Sequence, residues 1–181
     1  MKEKSHLLQV CKTYTAKKKT HGLRSGGYIG GASGIGYAAA KILLSRGAKV
    51  HIVDITPLDE QDSISITDIT FWKCDVTSWS EMRSTFQSVG HVDLVFANAG
   101  IGETTNYFQD AFDDDGLLLE PPSGLIDVNL RGMLNVIKLS WFMMKRQGTA
   151  GSIVITTSAT AYVPWQSLAV YSSVKLAARA P

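Results

Sequence analysis

The chain has 181 residues, 45% of them hydrophobic, a formal net charge of +2 and two cysteines. That is enough chain for one α/β domain with a substantial core, and the near-neutral balance implies no nucleic-acid partner. Cys11 and Cys74 make neither a disulfide framework nor a metal-ligand spacing, so a reducing, cytoplasmic setting without a bound metal is the simple expectation.

Residues 1–24 read as a poorly ordered basic leader. Lys17-Lys18-Lys19 is a solvated run or, alternatively, a targeting or membrane-surface patch. No secretory apolar region follows it. From residue 25 to residue 181 strand and helix patterns alternate, which predicts one domain built on a parallel sheet with right-handed crossovers. Strands are expected over 27–29, 49–53, 69–73, 94–97 and 152–157, and helices over 34–45, 78–88, 123–146 and 167–180. The strand runs are short and nearly continuously apolar, as when both faces are covered. The longest apolar stretch, 125–144, is interrupted by Asp127, Asn129, Arg131, Asn135 and Lys138, so no membrane span is expected.

The first chemistry-bearing segment is Gly30-Gly31-Ala32-Ser33-Gly34-Ile35-Gly36, followed by a helical run to Gly47. Glycines before a helix let backbone approach a pyrophosphate, and the helix N-terminus adds N–H groups and partial positive charge. The next strand ends at Asp54, where an acid can take the ribose hydroxyls of an adenosine. The plainer alternatives are a flexible loop for the glycines and a turn acid facing Pro57 for Asp54. An acid at 54 would repel the extra phosphate of NADP, and Ser33 is not basic, so NAD is favoured over NADP.

The second such segment is Ser158 with Tyr171 and Lys175. A spacing of four residues puts Tyr171 and Lys175 on one helical face, about a turn apart. An ammonium beside a phenol favours the phenolate and brings the acid toward working pH. Such a tyrosine can give a proton to a carbonyl or take one from an alcohol. Ser158 ends an apolar run, where its hydroxyl could hold the same substrate oxygen. The plainer reading is a solvated lysine over a packed tyrosine. Asn129 lies mid-helix, where asparagine is a poor helix former and often has a task.

Five landmarks stand in the order seen in the short-chain dehydrogenase/reductase family, which the chain resembles from about residue 25 to residue 175. They are Ile29 through Gly36, Asp75 in Cys74-Asp75-Val76, Asn98-Ala99-Gly100, Asn129, and the set Ser158, Tyr171 and Lys175. The resemblance implies a Rossmann-like doubly wound sheet and an NAD(P)-dependent hydride transfer on a secondary alcohol or ketone. It implies that Asp75 and Val76 contact adenine and that Asn98, Ala99 and Gly100 wall the cofactor. It implies too that Asn129 shapes a kink serving a water relay, and that Tyr171 and Lys175 also contact the cofactor, Lys175 at the nicotinamide ribose. Full-length relatives are expected to be homodimers or homotetramers.

Two departures qualify the match. The segment Arg24-Ser25-Gly26-Gly27-Tyr28-Ile29 replaces an apolar first strand, and Ile29 stands where a threonine is usual, so a weakened first strand is expected. The family runs to about 250 residues as one domain, so the chain reads as C-terminally truncated within the helix of Tyr171. It would then lack two strands and the loop over the substrate. A weak or inactive remnant acting as a binding module is therefore the alternative to an enzyme, and an NADP-dependent carbonyl reductase is the alternative within the enzymes. The stretch 102–124, with Asp110, Asp113, Asp114, Asp115 and Glu120, is either a solvated acidic loop or a flap at the pocket mouth. Val163, Pro164 and Trp165 are placed on the substrate side.

Overall fold

The computed structural model describes residues 25–58, 69–104, 106–163 and 165–179. The expected basic leader over 1–24, Cys11, Pro164 and the last two residues lie outside them.

Five strands form one parallel sheet: β1 (Ser25–Ile29), β2 (Lys49–Asp54), β3 (Ile69–Lys73), β4 (Leu94–Ala97) and β5 (Ser152–Ile155). Their order is β3-β2-β1-β4-β5. β1 is central and in register with a neighbour on each side, Gly27 lying opposite His51 of β2 and Val95 of β4. Paired ladders on its two edges hold the glycine-rich strand that was expected to be weak. β5 stops two residues before the predicted end, because the chain turns away after Thr156 donates its N–H to the Ala97 carbonyl at 3.0 Å.

The sheet carries a core on each face, as the period-two alternation of strands requires. Val50, Ile52, Leu94 and Phe96 pack with Tyr37, Ala39, Ala40 and Leu43 of α1 (Gly34–Leu44). Val53, Val95 and Ala97 point the other way, onto Met82 and Phe86 of α2 (Trp79–Val89) and onto Val136 and Leu139 of α4 (Met133–Arg146). The result is the three-layer, doubly wound arrangement expected. Ser78 caps α2 by accepting the Glu81 N–H at 3.4 Å, so the helix proper starts one residue after the predicted boundary.

The single helix predicted over 123–146 is three pieces. α3 (Gly124–Ile126) leads into a π-helical stretch, Asp127–Gly132, and then into α4. A π-bulge of this kind often marks a functional site, and this one holds Asn129. The last predicted helix opens with a 3₁₀ turn, Gln166–Leu168, and continues as α5 (Ala169–Ala177). A further 3₁₀ turn, Ala159–Ala161, follows Ser158. The 106–122 stretch folds back on itself through an antiparallel bridge between Phe112 and Leu118. There Asp113 Oδ1 accepts the N–H groups of Asp115 (3.1 Å) and Leu117 (2.8 Å), so this acid builds a turn. Among the described residues no helix is long and apolar enough to cross a membrane, and no group of three or more His, Cys, Asp or Glu is placed to hold a metal ion.

Strand order reverses between β1 and β4, which are neighbours reached by crossovers in opposite directions. In such sheets ligands bind outside the carboxyl ends of the strands at this switch point.

Candidate active site

The carboxyl end of β1 runs through the glycine turn into α1. Gly30 has φ +75°, and a Cβ there would meet the Ala99 backbone at 2.5 Å. At Gly36 a Cβ would stand 2.0 Å from the Gly30 carbonyl oxygen. These two glycines let the turn, the first turn of α1 and the loop after β4 lie backbone to backbone. Ser33 is the N-cap of α1 in an extended conformation, but its side chain makes no capping bond and the first turn holds no acid. Ser33, Gly34 and Ile35 are exposed, so uncapped N–H groups and the positive end of the helix dipole face outward. An uncapped, exposed helix N-terminus of this kind suits a phosphate.

Asp54 fastens the glycine turn. Its Oδ2 accepts the Ala32 N–H at 3.1 Å, and its Oδ1 accepts the Thr56 N–H at 3.1 Å. Asp75 Oδ1 accepts both the N–H (2.8 Å) and the hydroxyl (2.9 Å) of Thr77, building the turn into α2. Val76 is buried, and its carbonyl accepts from Asn135 Nδ2 at 3.1 Å. For Asp54 and Asp75 the turn-building role is thus present in the structure.

The loop from Asn98 to Glu103 ties the site together. Asn98 Nδ2 donates to the Gly30 carbonyl at 2.8 Å, while its Oδ1 accepts from Thr156 Oγ1 at 2.8 Å. The buried Asn129 clasps Ile101, donating from Nδ2 to its carbonyl and accepting its N–H at Oδ1, each at 2.8 Å. A Cβ on Gly100 would stand 3.0 Å from Asn129 Oδ1 and 3.4 Å from Lys175 Nζ, so the loop threads between these groups. Glu103 Oε2 then accepts the backbone N–H of Tyr171 at 2.9 Å.

Ser158, Tyr171 and Lys175 lie at the carboxyl end of β5 and on the helix beyond it. Ser158 Oγ accepts from the N–H (3.2 Å) and hydroxyl (3.0 Å) of Thr160, which leaves its own proton to donate outward. Lys175 Nζ sits 5.6 Å from the centre of the Tyr171 ring and donates to the Thr156 carbonyl at 3.2 Å. Burial pushes the Lys175 ammonium below the usual lysine range. Thr157 Oγ1 donates to the Lys175 carbonyl at 2.8 Å, and Arg179 Nη1, just past α5, to the Ala161 carbonyl at 3.3 Å, fixing the end of the helix against the segment after β5. Val163 and Trp165 are exposed beyond Ser158. Tyr107 and Phe108 line a groove of about 280 Å³ with Val170, Ser173, Val174 and Ala177. Helical spacing puts that groove on another face of α5 from Tyr171 and Lys175.

Every sequence-predicted residue of the glycine turn, the Asn98-Ala99-Gly100 turn and the Ser–Tyr–Lys set therefore lies at one edge of the sheet. Sequence reasoning missed Ile101, Glu103, Thr156, Thr157 and Arg179. The pair Thr156-Thr157 left a signal, two hydroxyls ending an apolar strand; the other three left none.

Residues 27–180 match the family model described as short chain dehydrogenase. The short-chain dehydrogenase/reductase prx4 of Penicillium roqueforti is 47% identical over 146 residues, covering 81% of this chain and 44% of that protein. A short chain dehydrogenase of Leptospira borgpetersenii with bound NAD+ superposes with a TM-score of 0.73 at 20% identity, over 86% of this chain and 61% of its own. ElxO with NADP bound gives a TM-score of 0.72 at 22% identity, over 86% and 63%. The chain spans less than half the length of prx4.

Proposed function

Because the chain belongs to the short-chain dehydrogenase/reductase family, we propose that it transfers a hydride between NAD and a secondary alcohol or ketone at Ser158, Tyr171 and Lys175. One observation carries this reading. A phosphate seat without a cap and a Tyr–Lys pair on a shared helical face are tied to the same loop, Asn98 to Glu103, at the switch point of the sheet.

The residues present fit a dinucleotide, since Gly30 and Gly36 let the turn close backbone to backbone on the loop after β4, and Ser33, Gly34 and Ile35 at the start of α1 stay exposed with no side-chain cap. Ser33, Gly34, Ile35 and Gly36 would hold its pyrophosphate, Asp54 its adenosine ribose, and Asp75 and Val76 its adenine. Asn98, Ala99 and Gly100 would wall it, and Lys175 would take the nicotinamide ribose. The negative charge of Asp54 favours NAD over NADP. When bound, the nicotinamide ring supplies or accepts the hydride. Ser158 donates its proton to the substrate oxygen and holds it in place. Tyr171 Oη exchanges the proton on that oxygen, and Lys175 stabilises the negative charge this leaves. Asn129 keeps the loop before Tyr171 in register. Val163 and Trp165 favour a bulky apolar substrate, and a cytoplasmic location suits the reading.

The test combines turnover and binding. Purified chain is assayed for NADH formation with NAD and a panel of secondary alcohols, and for NADH binding by fluorescence. Tyr171→Phe should lower turnover by about 10²- to 10⁴-fold, the usual worth of general acid–base catalysis, with NADH affinity unchanged. Turnover that survives the substitution would assign the proton step to another acid.

A further inference from the structure

We propose that Glu103 is a positioning residue for Tyr171, acting as the missing N-cap of the helix that carries it; this rests on the reading of Tyr171 as the proton-transferring group. Helices leave their first N–H groups without intrahelical partners, and a Ser, Thr, Asp or Asn at the N-cap normally accepts the N–H of the second or third helical residue. In α5 the N-cap position is Leu168, which has no acceptor and makes no side-chain cap bond. The third helical residue is Tyr171 itself, and its N–H goes to Glu103 Oε2 at 2.9 Å, from a residue 68 positions earlier. A carboxylate at this end is also favoured by the helix dipole.

The geometry around this bond makes it specific to the first turn of α5. The last turn is held from the other side, Lys175 by Thr156 and Thr157, and just past the helix Arg179 donates to the Ala161 carbonyl. Near its start a longer hydrogen bond, 3.4 Å, runs from the Trp165 N–H to Ser172 Oγ. Glu103 is itself anchored, because Ile101, two residues before it, is clasped at its N–H and its carbonyl by Asn129. The half-buried Glu103 thus carries the position of the π-helical stretch, through one loop, to the backbone of Tyr171. A carboxylate here sets where the phenol stands relative to Lys175 and Ser158.

Amide hydrogen exchange over 165–175 and steady-state kinetics test this in the intact chain. Glu103→Ala should speed exchange at the Tyr171 N–H by about tenfold, the scale of a lost cap. Glu103→Gln keeps an oxygen acceptor and should stay within about twofold of the parent protein. Leu168→Ser added to Glu103→Ala supplies a local cap and should restore protection. In turnover, Glu103→Ala should lower kcat by about tenfold or more, as misplaced catalytic groups do, leave the KM for NAD within about twofold, and recover with Leu168→Ser. Unchanged exchange at Tyr171 in Glu103→Ala overturns the proposal, and so does a loss confined to KM. A parent chain that binds NADH but transfers no hydride removes the functional reading above, while the exchange arm still decides whether Glu103 caps α5. If Glu103→Ala does not fold, Glu103→Gln against the rescued double variant decides the same point.

Discussion

Asp54 has a structural task that can be tested apart from the cofactor preference proposed for it. Its two oxygens accept the N–H groups of Ala32 and Thr56, so it ties the end of β2 to the glycine turn beside it. In the proposed reading it also puts a negative charge beside the adenosine of a dinucleotide. A second phosphate on that ribose would meet it at close range, where like charges cost on the order of 1–4 kcal/mol at surface dielectric values. The chain should therefore bind NADH at least about tenfold more tightly than NADPH, since 1.4 kcal/mol is about a factor of ten. Asp54→Asn keeps an acceptor for the turn but removes the charge, and should bring the two affinities within about threefold. Asp54→Ala should weaken both cofactors as well, because the Ala32 and Thr56 N–H groups lose their partner. Fluorescence titrations of the three proteins separate these effects. An unchanged NADH-to-NADPH ratio in Asp54→Asn would discard the charge as the source of preference.

At the scale of elements, β2 and β3 are joined by more than their ladder. Trp72 Nε1 donates to His51 Nδ1 at 3.2 Å, with the rings 6.3 Å apart. His51 is buried on the sheet, and burial, with Lys49 nearby, pushes its imidazole below the usual 6.5. In the folded chain His51 resists the proton that the unfolded chain accepts near 6.5. Stability is therefore unaffected by this group above that pH and falls as pH drops below it, until the lower folded pKa is reached. Protonation would also remove the acceptor for Trp72. Thermal midpoints between pH 7 and pH 5 should fall less in His51→Gln than in the parent chain; parallel pH profiles would mean other groups carry the acid sensitivity. What was legible in the sequence at this scale was local. Short, nearly continuous apolar runs in Lys49–Asp54 and Leu94–Ala97 marked strands covered on two faces, and the run from Gly30 to Gly36 marked a turn into a helix. The π-helical stretch was not legible as such, because the apolar pattern of 123–146 reads as one helix and the bulge is tied to contacts elsewhere. Gly132 packs on Val76 and Asn129 clasps Ile101, partners more than 25 residues away. Glu103 was invisible for the same reason, as its partner is the backbone of a residue 68 positions on.

Across the whole molecule, the site is an edge rather than a pocket of one element. The turn after β1, the loop after β4 and the segment after β5 all emerge at the carboxyl ends of adjacent strands, and Asn98 bonds to each of the other two. A dinucleotide that spans this edge would contact segments from both halves of the sheet, so its binding would oppose global unfolding rather than fraying of a single loop. Linkage sets the size of the effect: ligand at about 100 times its Kd adds about 2.7 kcal/mol to the stability of a chain that binds it only when folded. For a chain of this length that corresponds to a rise in Tm of about 5–10 °C. NADH should produce this rise, NADPH at equal concentration a smaller one, and Tyr171→Phe should retain it, because in the proposed reading the phenol oxygen exchanges the substrate proton and the substitution keeps the ring. Hydrogen exchange adds the spatial check. Protection on adding NADH should appear together in 30–36, 98–103 and 169–175. Protection limited to 30–36 would mean that the phosphate seat binds alone and that the Tyr–Lys helix lies outside the reach of the cofactor, which would separate the two parts on which hydride transfer depends.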